Sequence, residues 1–232
     1  MAIKVAVFNR KGGVGKTTLA IILTQIALMR NKRVLAFDQD EQNNFNISVS
    51  YMQDDPNFKN LFTFKTVLRK EDFDSTVDWI IIDCPPALNE RSRFSMRNSD
   101  FIVIPVRPDS YSTMPFTELR NEAGDYKMPF QFPIVKVGFT DTVASREANK
   151  NIEKLRAIGY TVIMEVPLHA KIPANISSGL KKLWSVGLSA LARQPFESVY
   201  TRLELLHKKL QELRRKNGEW KGDDYDYYDY IK

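Results

Sequence analysis

Cysteine occurs once in the 232 residues, at Cys84. A lone cysteine closes no internal disulfide and offers no thiolate cluster for zinc. The two histidines, His169 and His207, sit in segments unrelated to Cys84, which leaves no cysteine–histidine pair for nucleophilic catalysis. His207, beside Lys208 and Lys209, reads as a surface residue. No apolar run approaches the roughly 20 residues of a membrane span, and Met1 to Phe8 reads as a strand rather than a leader, so the chain is expected in the cytoplasm. Glycine is sparse as well, ten residues in all, yet three of them fall together at Gly12, Gly13 and Gly15.

The stretch around those glycines, Lys11-Gly12-Gly13-Val14-Gly15-Lys16-Thr17-Thr18, lies between an apolar run at 3–8 and a helix-like apolar run at 18–29. It reads as a phosphate cradle joining a buried strand to a helix. Glycines let the backbone turn tightly and bring N–H groups against phosphate oxygens, and the following helix adds the positive end of its dipole. In such a loop Lys16 reaches the β- and γ-phosphates and Thr17 holds Mg²⁺. The first position of the common Gly-x-x-x-x-Gly-Lys-Ser/Thr pattern is Arg10 here, and a second lysine, Lys11, opens the loop instead.

Short runs of Val, Ile and Phe recur at 3–8, 33–37, 79–82, 101–106, 134–137 and 160–166, with helical patterns between them. Nearly continuous apolar runs suit strands buried on both faces. The expected fold is therefore α/β, a single doubly wound, mainly parallel sheet flanked by helices. Ligands in such sheets sit beyond the carboxyl ends of the strands, where the glycine loop begins. Between Asp40 and Asp78 the pattern is weak, and one helix is expected near 64–70. Further helices are expected from Pro115 to Gly124 and from Ser145 to Ile158, the latter with Ile152, Leu155 and Ile158 on one face. A long apolar stripe runs from Pro195 through Phe196, Val199, Tyr200, Leu203, Leu206, Leu210 and Leu213 and closes at Asn217-Gly218,.

Two more segments place carboxylates at the expected ligand edge. Asp38 and Asp40 occupy alternate positions after the second run, where they can address a metal and an attacking water. The third run delivers Asp83 at its carboxyl end, the arrangement by which an aspartate holds Mg²⁺ through water. Pro85-Pro86 follows and stiffens the turn.

Taken together, the Lys-Gly-Gly-Val-Gly-Lys-Thr loop, Asp38-Gln39-Asp40-Glu41-Gln42, Asp83-Cys84-Pro85-Pro86 and the 99–108 segment resemble the ParA/MinD family of deviant Walker A ATPases. The match is most like the small ParA-type partition ATPases, since no helix-turn-helix extension precedes the first strand. The related iron–sulfur reductases are disfavoured because their cysteine ligands are missing. The resemblance implies a P-loop ATPase domain over 1–217 that binds ATP and Mg²⁺ and hydrolyses ATP to ADP and phosphate. It implies that Lys11 reaches across a nucleotide-sandwich homodimer to the partner's ATP, so that ATP binding and dimerisation are one event. Asp40 then positions the water and Asp38 supports the metal shell. Glu41 stands where the family's segment has proline, which leaves that turn freer. Val162 to Pro167, followed by Ile176-Ser177-Ser178-Gly179, resembles the family's late strand and helix start, and Pro167 carries over as a nucleotide contact.

Charge indicates what the switch acts on. Residues 1–170 carry 22 Lys/Arg against 20 Asp/Glu, residues 171–221 carry 11 against 4, and residues 222–232 carry 1 against 4. The basic region includes Lys171, Lys181, Lys182, Arg193, Arg202, Lys208, Lys209, Arg214, Arg215 and Lys216. Concentrated positive charge is what phosphate-backbone binding needs, and dimerisation doubles it. By resemblance the ATP-bound dimer binds DNA without sequence preference, sits on the nucleoid, and hydrolyses ATP when a ParB-like or cargo-adaptor protein stimulates it. The cargo is a plasmid, a chromosome or a protein assembly. Two other readings stay open: a MinD-like positioning ATPase, with the amphipathic basic helix on a membrane, and a metabolic ligase of the same fold. The four aspartates of the tail count against the membrane. The tail, 218–232, is acidic, tyrosine-rich and expected to be disordered.

Overall fold

The computed structural model describes residues 1–74, 76–108, 116–124, 127–166 and 190–216, with the side chains of 51, 74, 116, 117 and 190–193 excepted. The elements run β1 (Ile3–Val7), α1 (Lys16–Met29), β2 (Val34–Asp38), α2 (Asn44–Val49), β3 (Phe62–Lys65), β4 (Trp79–Asp83), α3 (Glu90–Asn98), β5 (Phe101–Val106), α4 (Phe116–Ala123), β6 (Ile134–Val137), α5 (Val143–Ala157), β7 (Val162–Val166) and α6 (Ala190–Lys216). Short 3₁₀ turns lie at Ser50–Gln53, Lys70–Asp74 and Pro129–Gln131. Among the described residues the strands form one seven-stranded sheet in the order β3-β2-β4-β1-β5-β6-β7, with every pairing parallel.

Strands β2, β4 and β5 are buried at every position, which is why they read as unbroken apolar runs. Alternate residues face two separate cores. Val5, Val7 and Ile81 pack with α1, α2 and α6 on one face, and Ala6, Phe8, Ile80 and Ile82 pack with α3, α4 and α5 on the other. Helix α1 is buried along nearly its whole length because the sheet, α2 and α6 all cover it. It ends in a Schellman turn with Asn31 left-handed at φ 56° and Lys32 N donating to Ala27 O at 3.0 Å,.

The stripe on α6 packs as its spacing requires. Phe196, Val199, Tyr200, Leu203 and Leu210 are buried, Tyr200 stacks on Trp79 at 4.6 Å, and Arg30, just past α1, lies over the Tyr200 ring at 4.5 Å. His207 lies in the same stripe, only 3% exposed and edge-on to Phe101 at 6.5 Å. The surface reading of His207 is thus corrected: burial holds its imidazole below its ordinary pKa,.

The weak region between Asp40 and Asp78 differs from expectation. Residues 62–65 form the edge strand β3, paired with β2, and 70–74 form a 3₁₀ turn where a helix near 64–70 was expected. The helix at Phe116–Ala123 ends at Gly124, φ 102°, as expected. Helix α5 starts at a Thr142 cap and buries Ile152, but Ile158 stands 60% exposed at its end. Pro115, the 176–179 segment, the helix close at Asn217-Gly218 and the 218–232 tail lie outside the described residues.

Candidate nucleotide site

Strand order decides which side chains meet. Because β4 sits between β2 and β1, the ends of these three strands line up: Asp38 pairs in register with Asp83, and Val7 with Asp83. The loop that leaves β1 therefore opens directly beside both carboxylates.

The loop has the backbone the glycines allow. Gly13 and Gly15 sit at φ 71° and 98°, the left-handed region that side chains disfavour,. Gly12 has no such need. A Cβ on Gly12 or Gly13 would meet nothing within 4 Å, so each would project into open space over the loop. Val14 is buried and anchors the loop from below. Lys16 is 7% exposed, and its Nζ donates to the Lys11 carbonyl at 3.1 Å. Burial lowers its pKa, opposed by the charges of Asp83 and Asp40. Thr18 lies half-buried in the first turn of α1.

Thr17 Oγ1 donates to Asp83 Oδ2 at 2.7 Å. The other carboxylate oxygen, Oδ1, is buried with no hydrogen-bond partner. Burial, with the neighbouring Asp38 and Asp40 charges adding and Thr17 and Lys16 opposing, pushes Asp83 up to about 7. A buried carboxylate with one orphaned oxygen beside a threonine hydroxyl suits a hard cation or its water shell. Among the described residues no three His, Cys, Asp or Glu side chains assemble an ion cage. A Mg²⁺ ion is ordinarily held by one or two carboxylates together with substrate phosphates and water, which fits this donor set.

Asp38 is turned to its own loop. Its Oδ1 accepts from Asp40 N at 3.0 Å, and Oδ2 accepts from Phe45 N at 2.9 Å and Asn46 N at 3.1 Å. Burial raises its pKa against these three backbone donors. The carboxylate thus closes the 38–46 turn, opens α2, and fixes the peptide that carries Asp40. Asp40 is half-buried and accepts from Gln42 N at 3.1 Å.

Two residues that sequence reading passed over hold the loop from outside. Asn9, 1% exposed, bonds both the Pro105 carbonyl and the Lys11 N–H. Arg107, just past β5, donates to the Gly13 carbonyl at 3.3 Å. Cys84 is fully buried with its thiol pushed up by burial and by Asp83, so it is no nucleophile.

The basic residues divide by helix face. Arg202, Lys208, Lys209, Arg215 and Lys216 are exposed on α6. Arg214 instead turns inward, where its guanidinium donates to Asp100 Oδ1 at 2.9 Å, with the Asp100 side chain 4% exposed. Lys171, Lys181, Lys182 and Pro167 lie outside the described residues, as does the Arg193 side chain.

A glycine loop between two lysines, facing a Thr–Asp pair at the carboxyl edge of a parallel sheet, is the geometry of a nucleotide-binding ATPase domain. The family model for the CobQ/CobB/MinD/ParA nucleotide-binding domain matches residues 5–183. The chain belongs to this family. The sporulation initiation inhibitor protein Soj of Bacillus subtilis is 24% identical over 66% of this chain and 78% of its own. A putative plasmid partition protein from Borrelia burgdorferi, solved with AMPPNP, superposes with a TM-score of 0.67 at 15% identity, covering 90% of this chain and all of the other. The MinD protein of Pyrococcus horikoshii, complexed with Mg-ADP, gives 0.65 at 15% identity, covering 89% and 98%. The family includes MinD and ParA by name, and these superpositions give the chain the P-loop NTPase fold of ParA/MinD-type proteins. Among the described residues no helix is long and apolar enough to cross a membrane.

Proposed function

We propose that this chain is a Mg²⁺-dependent, ParA-type partition ATPase that dimerises on ATP, binds DNA without sequence preference in that state, and hydrolyses ATP when a ParB-like or cargo-bound partner stimulates it. The observation that carries the reading is the Thr17–Asp83 pair with its orphaned oxygen, set beside a glycine loop that has a lysine at each end. The N–H groups of 12–18 and the N-terminus of α1 receive the phosphates. Lys16 leaves the Lys11 carbonyl for the β- and γ-phosphates. Thr17 and Asp83 would hold Mg²⁺, which neutralises charge on those phosphates. Asp40, on a peptide fixed by Asp38, orients the attacking water, while Lys11 reaches the ATP of a second copy.

DNA is the partner that the basic face of α6 fits. Arg202, Lys208, Lys209, Arg215 and Lys216 outnumber the exposed Glu197 and Glu212 on its outer side, and pairing two copies doubles the cations available to one duplex,. Binding to a random-sequence duplex, measured with ATP, with ADP and without nucleotide at two salt concentrations, tests the nucleotide-switched DNA binding. Binding that requires ATP and weakens steeply with salt is the expected outcome. Absence of binding in every state would refute the DNA assignment.

A further inference from the structure

The glycine loop is tied to β5 by a relay of hydrogen bonds through one buried side chain. Asn9 Nδ2 donates to Pro105 O at 2.8 Å, and Asn9 Oδ1 accepts from Lys11 N at 3.0 Å. Lys11 O accepts in turn from Lys16 Nζ at 3.1 Å. Arg107 adds a tie to the Gly13 carbonyl, and Arg10 pairs with Glu118 of α4 at 3.2 Å. Pro105 of β5, Arg107 just past it and Glu118 of α4 thus hold the loop at residues 9, 13 and 10. Both peptide groups flanking the Lys11 Cα are engaged, the N–H by Asn9 and the C=O by Lys16. That fixes the point and direction from which the Lys11 side chain leaves the loop.

A primary amide is suited to this place. It donates and accepts from adjacent atoms of one short side chain, whereas aspartate loses the donor and leucine loses both. We infer that Asn9 is a positioning residue for ATP hydrolysis: acting through the Lys11 peptide, it aims Lys11 at the neighbouring copy and holds the carbonyl on which Lys16 waits. The inference rests on the reading of this loop as an ATP site completed by Lys11 from a second copy. Small displacements of a group that must reach another molecule's phosphates are costly, since about 1 Å of misplacement can lose on the order of a hundredfold in rate.

The test compares wild type, Asn9→Ala, Asn9→Asp, Lys11→Ala and the Asn9→Ala/Lys11→Ala double variant. Each is assayed for binding of a fluorescent ATP analogue, for ATP-dependent dimerisation by sedimentation, and for steady-state turnover. Asn9→Ala is expected to bind ATP within about fivefold of wild type and to lose at least about tenfold in kcat and in dimer affinity, with little change in KM. Because Asn9 acts through Lys11, the double variant is expected to be no worse than Lys11→Ala alone, a non-additivity that a merely structural asparagine would not give. Asn9→Asp keeps the side-chain volume and the acceptor but not the donor to Pro105. Because it sets a buried carboxylate oxygen against the Pro105 carbonyl, it is expected to melt earlier than wild type as well as to lose turnover, and both variants are assayed at a temperature where circular dichroism shows them folded,. Wild-type turnover in both Asn9 variants, or multiplicative losses in the double variant, would overturn the inference while leaving the ATPase reading intact. A wild-type protein that neither binds nor hydrolyses ATP would overturn that reading and the inference with it.

Discussion

An aspartate that is 1% exposed, has one oxygen without a partner and is pushed from an ordinary 3.8 up to about 7 is a standing cost to the protein without metal. The sign follows from proton counts. Between these two values the native state keeps its proton on Asp83 while the unfolded chain has lost it, so stability falls as pH rises through this window and the full cost is present above 7. A gap of about three pH units at about 1.4 kcal/mol each makes that cost on the order of 4 kcal/mol. Asp83→Asn removes it. The asparagine carbonyl can still accept from Thr17, but its amide inherits the unpartnered position, which takes back about 1–3 kcal/mol.

The net expectation at pH 8, without metal or nucleotide, is a gain of about 1–3 kcal/mol, or a Tm roughly 3–10 °C above wild type for a chain of this size. The gain shrinks as pH is lowered from 7, is gone between about pH 5 and 6, and reverses below that, where the folded wild type keeps its proton at no cost while the variant still carries its unpartnered amide. Thermal unfolding followed by circular dichroism at pH 4.5, 6 and 8 in EDTA reads this directly. The same variant is expected to lose Mg²⁺-dependent turnover by about a hundredfold or more, because stability and cation binding draw on the same carboxylate. A Tm difference that does not change with pH, or a less stable variant at pH 8, would refute the account of Asp83.

Gly12→Ala and Gly13→Ala separate the two uses of glycine. The Gly12 Cβ meets no protein atom and the position has no positive φ, so Gly12→Ala is expected to melt with wild type yet bind ATP at least about tenfold more weakly. Gly13→Ala must adopt φ 71° and is expected to cost about 1–2 kcal/mol in addition. Arg214→Met removes the inward partner of Asp100 and is expected to cost about 1–3 kcal/mol, below the fully buried range because Arg214 is 29% exposed,. Arg215→Ala on the exposed face is expected to leave Tm unchanged and to weaken DNA binding, lowering the salt slope of the ATP dimer by about 2, one contact from each copy.

Six strands were legible as short runs rich in Val, Ile and Phe, β2, β4 and β5 because they are buried at every position and β1, β6 and β7 because they stay mostly apolar although partly exposed, and the glycine loop and Asp83 were placed by their positions at the ends of such strands. β3 was not legible because it is a four-residue edge strand. Phe62 is buried, Thr63 and Lys65 are exposed, and Phe64 is half-buried, so its Phe-Thr-Phe-Lys has no continuous apolar character, and its place beside β2 is a tertiary fact. Helix α3 escaped for a related reason: it buries Ser92, Ser95 and Met96 rather than a branched apolar stripe, and its one local sign was the Asn89–Ser92 capping box,. His207 and Arg214 were misread from polarity alone. Their spacing from Leu203 and Leu210 places both on the buried stripe, so the period of the helix held the information that residue type obscured. Asn9 had no such sign, since its role depends on the Pro105 carbonyl, 96 residues away.

β5 joins the two halves of the proposed function. Near its exit, Asn9 links Pro105 to the glycine loop and Arg107 holds Gly13, and before its entry Asp100 takes Arg214 from α6 and the Lys4 N–H from β1. Yet a strand buried at all six positions and paired to β1 and β6 has no second arrangement to adopt, and transmission through a protomer needs an element that has one. Under the proposed function, nucleotide control of DNA affinity would therefore fall to dimerisation, which would place a second basic face on the same duplex without changing the first. On this argument Lys11→Ala with ATP, shown to be monomeric by sedimentation, binds DNA like nucleotide-free wild type. Its plot of log affinity against log salt is about half as steep as that of the wild-type ATP dimer, since each phosphate contact contributes a slope of about −0.9. If the monomeric variant bound DNA as tightly and as steeply as the wild-type dimer, the coupling would run inside one protomer, and β5, joined at both ends, would be the element to re-examine.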